Sequence, residues 1–69
     1  MRALSGRELA RILKRHGWTL LRIHGSHHIF GKSGVRTKLS VPIHGNQSLK
    51  PGLQRYFLRV AGLAESDFG

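Results

Sequence analysis

The chain contains no cysteine and only three carboxylates, and both shortages narrow what it can do. Without cysteine, neither disulfides nor thiolate zinc sites can form. The carboxylates, Glu8, Glu65 and Asp67, lie near the two ends of the chain. Paired-carboxylate hydrolysis and carboxylate-held magnesium are therefore not expected. No apolar run reaches membrane-spanning length, and the first residues lack the apolar segment of a signal peptide, so we expect a cytoplasmic protein.

Positive charge is abundant instead. Twelve Lys and Arg residues give the 69-residue chain a net charge of +9 with neutral histidines. Such a charge on so small a chain favours a polyanionic partner, with nucleic acid ahead of an anionic membrane. The alternative is that the charge only keeps the chain soluble. A chain of this length supports one modest core, so residues 1–69 are expected to form a single domain.

Two helices are predicted, one near each end of the chain. Ser5 and Glu8 have the spacing of a capping box, which predicts a helix that ends near Gly17. Pro51 is suited to the first turn of a second helix because its missing N–H does no harm there. The apolar stripe expected for this helix is Leu53, Tyr56 or Phe57, Val60 and Ala61.

Three strands are predicted between the helices. β-branched and aromatic residues indicate strands over 18–23 and 27–30, separated by a tight turn at Gly25-Ser26. After a second turn over 31–36, alternating apolar residues predict a third strand over 37–43. The expected fold class is α+β. It is a two-layer sandwich of order α-β-β-β-α, with a three-stranded antiparallel sheet and both helices on one face.

Histidines are concentrated around the first turn. His24, His27 and His28 lie within five residues, and His44 follows the third strand. A metal site is one interpretation, but His27 and His28 are neighbours on a strand and point to opposite faces, so at most three of the four could converge. Local hydrogen bonding at strand ends is the second. Proton transfer is the third, because the pKa of imidazole lies near neutrality.

The register of the second strand decides which histidine shares a face with Phe30. His28 and Phe30 point to one face, and His27 and Ile29 to the other. If Ile29 and Gly31 pack against the helices, His28 and Phe30 lie on the open face; the opposite register buries Phe30, and the pattern leaves both open. A histidine on a basic surface would suit metal-free RNA cleavage by the ribose 2′-hydroxyl. Phe30 would then stack on an unpaired base.

Further candidates surround this hairpin. Ser26 and the amides of Gly25 and Ser26 could hold a phosphate oxygen, and His24 could assist His28. Cations on or between the strands are candidates for RNA contacts: Arg22, Lys32, Arg36 and Lys38. Charge alone does not separate these from helix residues that could be no more than solvated faces: Arg7, Arg11, Arg55 and Arg59.

A resemblance to a known family rests on four segments that together span about residues 4–68. They are Gly25-Ser26-His27-His28-Ile29-Phe30, Leu39-Ser40-Val41-Pro42 followed by His44-Gly45, Leu49-Lys50-Pro51-Gly52, and Ala61-Gly62-Leu63 ahead of Phe68. Together they resemble the HicA toxin family of type II toxin–antitoxin systems. The Gly-Ser-x-His element after one helix, followed by Val-Pro-x-His-Gly, is specific for so short a chain.

The resemblance implies an mRNA interferase with a fold like the double-stranded RNA-binding domain. It implies that His28, the fourth residue of the Gly-Ser-x-His element, is catalytic and exposed, whereas His27 occupies the variable position. No metal or other cofactor is implied. The implied substrate is mRNA, free or on the ribosome, and the implied partner is a HicB-type antitoxin that covers the active face.

Two other functions are compatible with the same residues. A non-catalytic RNA-binding module of the same shape would need the basic surface but no histidine in the Gly-Ser-x-His element. A DNA-binding or interaction module with structural histidines has less support, and equal affinity for DNA and RNA would favour it.

Overall fold

Two helices pack against one face of a three-stranded antiparallel sheet in the computed structural model, which describes residues 2–68. The elements are α1 (Gly6–Arg15), β1 (Thr19–His24), β2 (His27–Lys32), β3 (Val35–Pro42), α2 (Pro51–Ala61) and a 3₁₀ turn (Glu65–Asp67). The strands lie in the order β1-β2-β3, so β2 is central. The predicted α+β class and element order are confirmed. No helix in residues 2–68 is long and apolar enough to cross a membrane.

Helix α1 begins at the predicted capping box. The Ser5 hydroxyl accepts a hydrogen bond from the Glu8 N–H at 3.1 Å, and the Glu8 carboxylate accepts one from the Ser5 N–H at 3.0 Å. Two of the first-turn donors that a helix leaves unpaired are thereby satisfied. At the other end Gly17 has φ +90°, the backbone conformation expected of the glycine that follows a helix.

The first residue of α1 touches the end of β3. A Cβ on Gly6 would overlap the carbonyl oxygen of Pro42 and lie 3.1 Å from the Ile43 side chain. Only glycine permits so close an approach of the two backbones. Because Pro42 pairs with His27, this contact places the first turns of α1 beside the N-terminal end of β2.

Two tight turns connect the three strands, and only the first has the predicted bounds. Gly25-Ser26 is the expected tight turn, with Gly25 at φ +62° in the first central position. The second turn is only Ser33-Gly34, much shorter than the predicted 31–36. Gly31 stays within β2 because it leaves room for Leu21, whose Cδ1 lies 2.8 Å from where a Cβ on Gly31 would be.

The core lies between the sheet and the helices. Phe30, Leu39 and Val41 are fully buried on the helix-facing side of the sheet. The helices and the segments next to them supply the rest of the core: Leu4, Leu9, Ala10, Ile12, Leu13, Trp18, Leu49, Phe57 and Leu58. One contiguous core of this size is what a single small domain can build.

The buried stripe of α2 is only partly the predicted one. Of the alternatives Tyr56 or Phe57, Phe57 is buried, and Val60 and Ala61 pack against the core as expected. Leu53 is exposed, and Gln54 is buried instead. The Gln54 side chain accepts a hydrogen bond from the Leu4 N–H at 2.8 Å and donates one to the Arg2 carbonyl at 2.7 Å. A polar residue takes this position because the N-terminal segment runs beside α2 and its backbone needs partners.

Candidate active site

The register of β2 places His28 on the face that packs against the helices. Phe30 is fully buried, and it stands opposite Leu20 in β1 and Leu39 in β3. Residues two apart on a strand share a face, so His28 points to the same side. Of the two registers that the pattern leaves open, the one that the resemblance favours, with His28 and Phe30 on the open face, is therefore wrong. The large apolar ring fills the core, and Phe30 cannot stack on a base from inside it.

His28 lies at the end of this face, where the core meets solvent. Its half-buried side chain lines a cleft of about 360 Å³ between α1 and the sheet. The other lining residues are Arg7, Ala10, Arg11, Lys14, Phe30 and Ile43. Ala10 is the one small residue among those that α1 contributes to this lining within residues 2–68.

Arg7, Arg11 and Lys14 form one wall of this cleft, and we call them the α1 cation stripe. Their spacing of four and three residues places them on one side of the helix. All three side chains are exposed, and none of the carboxylates within residues 2–68 lines the cleft. Sequence alone does not distinguish Arg7 and Arg11 from residues of a solvated helix face. Their helical spacing is evident in the sequence, but whether they lie beside His28 depends on the register of β2.

The neighbouring carboxylate is engaged elsewhere. Glu8 accepts a hydrogen bond from the Ser5 N–H and pairs with the Arg2 guanidinium at 2.9 Å. These contacts, first the backbone hydrogen bond and then the Arg2 hydrogen bond, hold the pKa of the Glu8 carboxyl below its ordinary value. Glu8 is therefore ionised near neutral pH, and its charge is directed to the N-terminal segment rather than to the α1 cation stripe.

The imidazole of His28 is available to a ligand. Within residues 2–68 it has no hydrogen-bond partner, whereas Nδ1 of His27 lies 3.2 Å from the Ser40 hydroxyl on the opposite face. The turn before His28 is fixed, because the Ser26 carbonyl accepts a hydrogen bond from the Ile43 N–H at 2.8 Å. The histidine therefore sits on a rigid strand end with its ring nitrogens uncommitted.

The remaining histidines do not join His28. His24 stands opposite His27, so both point to the open face, and an assisting role for His24 does not fit this arrangement. His27 and His44 instead line a separate groove with Leu53 near the start of α2. In the part of the chain described, no three His, Cys, Asp or Glu side chains are grouped as metal ligands. The metal interpretation thus has no ligand set there.

The cations expected to bind RNA lie away from the cleft. Arg22 stands opposite Ile29 and so belongs to the open face. Lys38 belongs to the same face and lines a shallow depression beside Leu21. Lys32 lines that depression too, but it has the strand parity of Phe30, and its Cε lies 3.2 Å from where a Cβ on Gly17 would be, at the end of β2 opposite His28. Arg36 is exposed on β3, two residues before Lys38. The sheet separates Arg22, Arg36 and Lys38 from His28, so the molecule presents two basic surfaces rather than one.

Fold and site together define a small basic α+β domain in which a histidine lies in a cleft beside three cations. The chain belongs to the HicA family, because the family model, described as the HicA toxin of bacterial toxin–antitoxin systems, matches residues 6–63 of the 69. Membership assigns it to the toxin side of such a pair and implies an antitoxin partner. No curated protein matches the chain closely enough to serve as a relative.

Proposed function

We propose that this protein is an endoribonuclease that cleaves mRNA without a metal ion and that His28 is its catalytic histidine. The observation that carries the proposal is the position of an uncommitted imidazole in a cleft with a cationic wall. Imidazole suits proton transfer near neutral pH, and the cations suit a phosphodiester. The Gly-Ser-x-His element and membership of the HicA family support the same assignment.

The reaction uses the RNA itself as nucleophile. The ribose 2′-oxygen attacks the adjacent phosphorus as its proton is removed, and the bond from phosphorus to the next 5′-oxygen breaks as that oxygen gains a proton. The products are a 2′,3′-cyclic phosphate and a 5′-hydroxyl. His28 carries one of these two protons. The α1 cation stripe stabilises the negative charge that builds up on the phosphoryl oxygens. DNA lacks the 2′-hydroxyl and is not a substrate.

Other residues bind the strand around the cleaved bond. Ser26 and the amide of Gly25 lie in the turn just before β2, where they can donate to a phosphate oxygen. Four cations that lie apart from the cleft contact RNA at a distance from the cleaved nucleotide: Arg22, Lys32, Arg36 and Lys38. These residues contribute salt-dependent affinity and take no part in the cleavage step.

The antitoxin is of the HicB type, and it inhibits by covering the cleft. A partner that covers Arg7, Arg11 and Lys14 must neutralise them, so we expect acidic side chains on its contact surface. The site of action is the cytoplasm, on mRNA that is free or bound to ribosomes. A non-catalytic RNA-binding module of the same shape is the alternative, supported by the basic charge and the order of elements.

The test compares the wild type with His28→Ala and His27→Ala, each incubated with a labelled mRNA or the matching DNA in EDTA. His27 is the matched control, because it is the neighbouring histidine but points to the other face. We expect the wild type and His27→Ala to cleave RNA and not DNA, and His28→Ala to leave both intact while retaining its circular dichroism spectrum.

Three results would contradict the proposal. Cleavage by His28→Ala at the wild-type rate would remove His28 from the mechanism. RNA binding without cleavage by any of the proteins would favour the binding module. Cleavage that EDTA abolishes would require a metal ion.

A further inference from the structure

We propose that Ile23 forms an apolar subsite for the base of the cleaved nucleotide, which makes unpaired RNA the substrate class. The inference rests on the proposed function, since it concerns the same site. Its starting point is the pairing of Ile23 with His28 across β1 and β2. Residues directly opposite each other in an antiparallel pair present their side chains on the same face, about 5 Å apart.

Ile23 is unusual among the apolar residues of this face. Phe30, Leu39 and Val41 are fully buried, whereas 57% of Ile23 is exposed. Ile23 does not belong to the core or to the side chains packed against it. It lies on β1, an edge strand of the sheet that residues 2–68 form, so there is space next to it on the side away from β2. A large exposed apolar side chain beside a catalytic candidate needs a reason.

The two sides of His28 suit the phosphate and the base of one nucleotide. On one side α1 presents Arg7, Arg11 and Lys14, which suit the anionic phosphate. On the other side β1 presents Ile23, which suits the apolar face of a base. His28 lies between the two, where the ribose would be. With the phosphate held by α1, the base of the same nucleotide is directed toward Ile23.

This arrangement selects unpaired RNA. In a duplex each base is stacked between its neighbours, so its face is not free to contact a side chain. A single-stranded segment can turn one base out of the stack, and proteins that recognise single strands use such freed bases. The Ile23 subsite therefore restricts cleavage to single-stranded stretches of RNA and favours the larger purine bases, which bury more apolar surface.

The experiment compares Ile23→Ala with Leu21→Ala. Leu21 is a matched control because it is also an exposed apolar residue of β1, with 51% of its surface accessible, but it lies over Gly31 and not beside His28. The substrate is a short 2′-O-methyl RNA with one unmodified ribonucleotide, so that only one bond can be cleaved. That nucleotide carries either a purine or no base.

In the wild type and in Leu21→Ala, we expect removal of the base to lower kcat/KM about tenfold. In Ile23→Ala, which has already lost the apolar contact, we expect removal of the base to change kcat/KM little. A complementary strand should suppress cleavage. The inference is overturned if the wild type is insensitive to base removal, if Ile23→Ala remains as sensitive as the wild type, or if Leu21→Ala behaves like Ile23→Ala. Failure of the wild type to cleave any of these substrates, or a labelled mRNA, would instead overturn the proposed function and this inference with it.

Discussion

Phe30 and His28 lie on the same face of β2, but the first belongs to the core and the second lines the cleft. Phe30 belongs to the core cluster between the sheet and the helices and is fully buried. His28 lies two residues earlier, where the core meets solvent, and is half-buried. The side chain that anchors the strand thus fixes the position of the one that lines the cleft. A strand can do this because its side chains alternate strictly between faces.

Phe30→Ala is expected to destabilise the protein by about 3–5 kcal/mol, because it leaves a cavity in the core that residues 2–68 form. That loss is of the same order as the whole stability of a domain this small. Ile29→Ala is the control, since Ile29 points to the open face and is only half-buried. Urea unfolding followed by circular dichroism would measure both. If Phe30→Ala does not fold, Phe30→Leu should show a smaller loss. A Phe30→Ala variant as stable as Ile29→Ala would place the ring on the surface.

At the scale of elements, α1 serves both the core and the cleft. The helix buries Leu9, Ile12 and Leu13 in the core, and the exposed side chains of the α1 cation stripe line the cleft. The position of the helix is set at its start, by the capping box and by the contact of Gly6 with Pro42. The cap therefore matters for the site as well as for stability, since it holds the stripe beside His28.

The charge of Glu8 should stabilise the fold above its ordinary pKa of 4.5. The pKa is lowered in the folded state, so the ionised form is favoured there; this stability is present near neutral pH and is lost as pH falls through the folded value. Glu8→Gln keeps a side-chain acceptor for the Ser5 N–H but loses the charge. We expect the wild type to exceed Glu8→Gln by less than about 1 kcal/mol at neutral pH, because the pair with Arg2 is exposed.

Urea unfolding of both proteins between neutral pH and about pH 3 would check this. The difference should shrink as the carboxyl protonates. A difference that stays constant across that range, or that grows in acid, would show that the charge is not the stabilising feature.

The order of elements and their caps could be predicted from local sequence, but the face of His28 could not. The Ser5–Glu8 box, the Gly25 turn and Pro51 each act over a few residues, and each appears where predicted. The register of β2 depends on what Phe30 meets across the core, which is a long-range property. For the same reason the sequence could not show that Arg7 and Arg11 line a cleft with His28, because that depends on which face of β2 lies beside α1.

Over the whole molecule, positive charge lies on both sides of the sheet. The α1 cation stripe flanks His28, and Arg22, Arg36 and Lys38 occupy β1 and β3. The few carboxylates lie at α1 and near the C-terminus, so the strands carry none. Long-range attraction of RNA depends on the total charge, whereas cleavage depends on which cations hold the phosphate. The two contributions can be separated because each surface offers three cations.

The matched pair of variants is Arg7→Gln/Arg11→Gln/Lys14→Gln and Arg22→Gln/Arg36→Gln/Lys38→Gln. Each removes three positive charges from a net charge of +9, and all six side chains are exposed. Both variants should bind RNA less tightly and show a weaker dependence on salt, by about 0.7 in the logarithmic slope for each phosphate of a single strand that is no longer neutralised. The helix variant should also cleave about a hundredfold more slowly at saturating RNA, because the transition-state charge is no longer stabilised.

The sheet variant should retain the wild-type rate, because its cations lie on the other side of the sheet from His28. Single-turnover cleavage at saturating RNA over a range of salt concentrations separates the rate from the affinity. Equal reductions of rate in the two variants would mean that the cations act only through total charge. A larger reduction in the sheet variant would place the scissile phosphate on the open face, and the cleft beside His28 would then not be the site of cleavage.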